Sequence, residues 1–145
     1  MKFQGHILTN LHEQYGLSTT TQMKCLAEGA TGIWAGIAEE GATMGNISST
    51  ITIMNLIRLG NTKVIANYKC DRLSEASANV TRYVTGQPPH PRQPAVGDRA
   101  LGVCYDMPHL DADVDLEDSC AASITRSLFL SSLSFQDTLV SKMKE

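Results

Sequence analysis

Apolar residues fall along this chain in two rhythms, short near-continuous runs and longer stretches with helical spacing. Residues 2–11 form a mixed apolar run that reads as a strand ending near His12. From Gly16 to Ala30, the residues Met23, Leu26, Ala27 and Ala30 repeat at the i, i+3, i+4, i+7 interval of one helix face. Gly29 stands where a left-handed cap is expected. The run Gly32-Ile33-Trp34-Ala35-Gly36-Ile37-Ala38 suits a strand buried on both faces of a parallel sheet, with Trp34 in the core or lining a barrel. A Gly-rich turn from Glu39 to Asn46 leads to a second helix capped by Ser48 or Ser49. Ile53, Leu56 and Ile57 form its apolar face, Ser48, Thr52 and Asn55 lie on the other, and Gly60 stops it.

Residues 62–68 fit a last short strand or a helical turn. Asp71 is expected to cap a further helix with Leu73, Ala76, Val80, Tyr83 and Val84 inward and Gly86 at its end. Gln87-Pro88-Pro89-His90-Pro91 must be extended, because proline restricts itself and the residue before it. An acidic, turn-rich stretch covers residues 106–119. Residues 119–144, with Ile124, Leu128, Leu133, Leu139, Val140 and Met143, read as one or two amphipathic helices. Strand, helix, strand, helix with short connections predicts an α/β fold of repeated βα units on a parallel sheet.

Composition narrows the function classes. The 145 residues and 42% hydrophobic content suit one domain with a real core. A net charge of −3 and the lack of a basic patch argue against nucleic-acid binding. No signal-peptide pattern and no membrane-length apolar run is present, so a cytoplasmic, non-membrane protein is expected. Cys25, Cys70, Cys104 and Cys120 form no CxxC pair, which speaks for reduced thiols rather than zinc or disulfides. The Asp-x-Asp-x-Asp alternation of residues 111–115 lacks the glycine and distant glutamate of a calcium loop and reads as a solvated face. Asn46-Ile47-Ser48 and Asn79-Val80-Thr81 match the glycosylation acceptor pattern and are taken as chance.

Candidate chemistry gathers where the two predicted strands end. His12 closes the first and can offer a ring nitrogen to a metal. Asn46, one βα unit later, can offer an amide oxygen from the Gly-rich turn. In a (β/α)8 barrel the C-terminal ends of the strands form the face on which active sites are built. Of the adjacent Glu39 and Glu40 at most one faces such a site, where a carboxylate could serve as general base. His90 and His109 sit in proline-bearing loops with no partner legible in the sequence.

Four segments carry a family likeness. Asn10-Leu11-His12-Glu13-Gln14-Tyr15-Gly16-Leu17, Glu28-Gly29-Ala30, Gly45-Asn46-Ile47-Ser48, and the stretch from Thr85-Gly86 to Val96-Gly97-Asp98-Arg99-Ala100 resemble the HMG-CoA lyase-like family. These pyruvate carboxyltransferase domains include 2-isopropylmalate and homocitrate synthases. The resemblance implies a partial TIM (β/α)8 barrel, its last βα units and exit segment in residues 1–105, with an acidic linker and helical extension in residues 106–145. A whole barrel needs roughly 250 residues. A missing barrel half or a homo-oligomer is therefore an expected partner.

The family's metal rests on a first-strand aspartate, two histidines of a His-x-His motif and the asparagine of the Gly-Asn loop. Carried across, His12 is the second histidine, Asn46 the asparagine, and Asn10 stands in place of the first histidine. Glu13-Gln14 replace the family's Asn-Asp, and Gly41-Ala42-Thr43 replaces its Gly-Glu-Arg. The implied cofactor is a divalent cation (Mg, Mn or Zn). The implied function is that of a fragment or divergent member of the carbon–carbon lyases and acyltransferases acting on α-keto acid or acyl-CoA substrates. The alternative is a catalytically inactive α/β interaction or regulatory module, for which the altered His-x-His speaks.

Overall fold

The computed structural model describes residues 4–42, 44–100, 102–103, 127–128, 140 and 143. Strand β1 (Leu8–Asn10) runs parallel to β2 (Gly32–Trp34), joined by helix α1 (Ser18–Ala27). Leu8 pairs with Gly32, Thr9 with Ile33 and Asn10 with Trp34. Then follow α2 (Ser49–Arg58), α3 (Thr62–Asn67), a 3-10 turn at Cys70–Arg72, and α4 (Leu73–Thr85). The architecture is mixed α/β, a small parallel sheet with several helices. None of the described helices is long and apolar enough to cross a membrane.

The start and stop expected of α2, and the stop expected of α4, are where these helices begin and end. Ser48 caps α2, its Oγ accepting from the Ile51 N–H at 3.2 Å. Gly60 follows α2 with φ 85°, and Gly86 terminates α4 in the left-handed region with φ 70°. Gly29, past the end of α1, has φ 107°. Residues 62–67 resolve the strand-or-helix alternative as helix. The apolar core lies on this side: Ile53 and Ile57 of α2 meet Val64 of α3 and Cys70, with Met54, Leu56 and Leu73 packed around them. Burying each such aliphatic side chain is worth about 1.5–3 kcal/mol.

The strand side departs from expectation. The apolar run 32–38 forms only three strand residues, and Trp34 is 65% exposed rather than core. Gly36 instead bridges to Ser48, drawing the chain towards α2. Helix α1 buries Ser18 and Gln22 and leaves Ala27 exposed, so the Met23–Leu26–Ala27 stripe is not its main contact. The reason lies on β1: its inward residue is Thr9, whose Oγ1 donates to Gln22 Oε1 at 2.8 Å, and a buried polar group requires such a partner.

On α4, Leu73, Ala76 and Val80 are half-buried, whereas Tyr83 is 89% and Val84 63% exposed, because the last turn runs beyond the core. Asp71 does not cap α4; it sits inside the 3-10 turn, and the capping position is Arg72 without a side-chain bond. Beyond α4, Ser74 Oγ donates to Ala95 O at 2.8 Å and Arg99 N to Pro91 O at 2.8 Å, which fold residues 91–100 back in turns. Strand β3 (Gly102–Val103) pairs in parallel with β4 (Ser127–Leu128), a strand where the helical extension was expected. Of that extension Val140 is helical and Met143 lies in a turn. The acidic run 106–119, His109, Cys104 and Cys120 lie outside the described residues.

Candidate functional site

The Gly-rich loop after β2 is wound tightly around Asn46. At Gly41, with φ 137°, an added Cβ would lie 2.2 Å from Asn46 Nδ2. At Gly45, with φ 86°, it would lie 1.7 Å from the Glu39 carbonyl oxygen. Only glycine combines that backbone geometry with that closeness. Inside the loop the Glu40 carboxylate accepts from Ile37 N and Ala38 N, both at 2.6 Å, and its carbonyl accepts from Asn46 N at 3.3 Å. The loop is then pinned to two helices through one atom. The Ile37 carbonyl oxygen accepts from Ser48 Oγ at 3.1 Å, Thr50 Oγ1 at 2.9 Å and Ser77 Oγ at 3.1 Å. All three hydroxyl residues are buried.

That winding lays Asn46 against His12 in an antiparallel bridge. Ile47 N donates to Leu11 O and Glu13 N to Gly45 O, each at 3.2 Å. The His12 Nδ1 lies 3.2 Å from the Ala42 carbonyl, which can only accept, so Nδ1 carries a proton and Nε2 is the ring nitrogen left for another partner. A backbone carbonyl on the second ring nitrogen is the usual way a ligating histidine is oriented. The amide of Asn46 is equally fixed: Nδ2 donates to Glu40 O at 3.1 Å, which leaves Oδ1 as the remaining atom. Oδ1 is buried and has no hydrogen-bond partner. An orphan acceptor of this kind calls for a donor or a cation. Asn10 remains on β1, exposed and paired with Trp34, outside the His12–Asn46 bridge.

The glutamates divide into distinct tasks. Glu13 accepts from Ser18 Oγ and from Ser18 N at 3.5 Å, so it supplies the cap that Leu17 cannot give α1. Glu40 is committed to the loop backbone. Glu39, in a left-handed conformation with φ 66°, is the carboxylate left over. Burial, and secondarily the charge of Glu13, raise its pKa above the ordinary glutamate value. The capping roles of Glu13 and Glu40 are beyond sequence reasoning, since each depends on how the folded backbone turns towards the carboxylate.

The donors available to a divalent cation are therefore His12 Nε2 and Asn46 Oδ1. Among the described residues no three His, Cys, Asp or Glu side chains converge as a metal group. Cys25 and Cys70 are free thiols, half-buried and buried respectively. The two residues that carry these atoms are bridged through their backbones. These features define a mixed α/β chain in which Asn46, of the loop before α2, is bridged to His12 just beyond β1. Compared with family models and with curated proteins, the chain matches none.

Proposed function

We propose that His12 and Asn46 form part of a divalent-metal site in a divergent relative of the HMG-CoA lyase-like carbon–carbon lyases and acyltransferases. One observation carries this reading: the unpartnered Asn46 Oδ1 lies on the residue bridged to a His12 whose ring is oriented by the Ala42 carbonyl. A bound Mg, Mn or Zn ion would act as a Lewis acid towards the carbonyl of an α-keto acid or acyl-CoA. The chain's own part is to hold two neutral donors in place. The Gly41–Gly45 winding fixes Asn46, and the bridge to Leu11 and Glu13 fixes the end of β1. Asn10 is assigned to the same site as an outer amide donor, two residues from His12 and thus on the same side of an extended backbone. The remaining barrel elements and carboxylate ligand are assigned to a barrel half supplied by a partner.

The test is calorimetric titration of the purified chain with manganese, magnesium and zinc, beside His12→Ala. Saturable binding lost on substitution is the expected result. Equal titrations for the two proteins, or no binding by wild type, overturn the metal reading. A second reading, an inactive module that works by association, is favoured by Leu8 (61% exposed) and Trp34 on a sheet of two parallel strands. Such sheets are normally covered on both faces. Sedimentation of the wild-type chain separates this reading: it requires an oligomer, and a monomer with one sharp thermal transition overturns it.

A further inference from the structure

Behind the Gly-rich loop lies a second cavity that includes neither His12 nor Asn46. It is an open cleft of about 420 Å³ between the loop, the last turns of α4 and residues 90–93. That is within the small end of the range for small-molecule sites, roughly 300–1,000 Å³. Val80 and Val84 of α4 and Met44 of the loop supply its apolar surface, and Val84 and Met44 are largely bare.

Its polar wall holds donor groups on Arg92 and His90 beside two carboxylates, Glu39 and Glu40. Arg92 lines the cleft and makes no side-chain hydrogen bond or ion pair among the described residues. His90 Nδ1 accepts from Arg92 N at 3.2 Å, which puts the ring proton on Nε2 as a donor. Glu40 also borders the cleft, but its carboxylate is engaged with the Ile37 and Ala38 amides. Glu39 is the carboxyl that remains, held in a backbone conformation that non-glycine residues rarely adopt. Burial, and secondarily the charge of Glu13, raise its pKa above the ordinary glutamate value.

A planar cation and an N–H donor beside a bare aliphatic surface suit one ligand chemistry. We propose that this cleft binds a small aliphatic monocarboxylate, its head on Arg92 and His90 and its chain against Val80, Val84 and Met44. Arginine recognises a carboxylate through two parallel hydrogen bonds, which lysine cannot reproduce. The proposal does not rest on the metal reading, because no proposed metal donor lines the cleft.

The experiment is amide NMR of the full-length labelled chain titrated at fixed pH with butyrate, acetate and inorganic phosphate. Saturable shifts confined to residues 38–44, 80–85 and 90–93 are expected with butyrate. Acetate should bind about tenfold more weakly, since it lacks two methylenes that would touch the valines. Arg92→Gln should weaken butyrate about tenfold or more, with Arg92→Lys intermediate. Absence of saturable shifts, equal affinity for acetate, tighter binding of phosphate, or an Arg92→Gln titration like wild type would each overturn the assignment.

Discussion

The two ends of α2 are held by different physics. At its C-terminal end Ile53 and Ile57 pack on Val64 and Cys70, and the binding force is apolar area removed from water. At its N-terminal end Ser48 and Thr50, joined by Ser77 of α4, grip the Ile37 carbonyl by hydrogen bonds. Apolar packing is non-directional and supplies most of the stability, whereas hydrogen bonds contribute little net energy but fix atoms in place. The directional end is the one next to the loop in which Asn46 is bridged to His12. The opposite end can serve as bulk anchorage.

That contrast can be broken from either side. Ile57→Ala should have the largest effect, a loss of about 3 kcal/mol by chemical denaturation, because a cavity opens in a small core. Gly45→Ala should cost about 2 kcal/mol, as the loop rearranges around a Cβ that cannot stand beside the Glu39 carbonyl. Its sharper signature is local: the NMR signals of His12 and Asn46 should shift while those of Val64 and Cys70 stay. Ser77→Ala should cost about 1 kcal/mol or less, since two hydroxyls remain on Ile37. A Ser77→Ala loss equal to that of Ile57→Ala would erase the proposed distinction between the two ends.

The smallest expected effect is a dependence on pH. Glu39 holds its proton more tightly folded than unfolded. Its favourable contribution is complete below the unfolded-state pKa and is lost as pH rises through the raised folded value. Glu39→Gln should remove that decline from a plot of denaturation midpoint against pH. An unchanged slope would show that Glu39 is not its source.

Helices were legible in this sequence where their ends carry local chemistry. Ser48, Gly60 and Gly86 act through their own backbone neighbourhoods, so the residue type alone places the boundary. The strand was not legible from its apolar run, because Gly36 leaves the sheet to meet Ser48 and strands Trp34 at the surface. Helix α1 was misread for a related reason. Its partner strand presents Thr9, and a polar seam through Gln22 leaves no hydrophobic period to detect. At the candidate site, the meeting of His12 and Asn46 follows from one βα unit of spacing and could be anticipated. The cleft with Arg92 could not: His90-Pro91-Arg92 signals only a turn until α4 brings that turn to the loop.

The grip on Ile37 also sets an order of events. Ser77 stands 40 residues beyond the carbonyl it binds, whereas Ser48 and Thr50 are close in sequence. Closing the longer loop costs more chain entropy before any contact rewards it. The Ser77 hydroxyl is therefore expected to be the last of the three to reach the Ile37 carbonyl, after α4 docks. Substitutions of Ser77 should quicken unfolding and leave the refolding rate almost untouched. A nascent chain that has not yet delivered Ser77 would hold the Ile37 carbonyl by Ser48 and Thr50 alone.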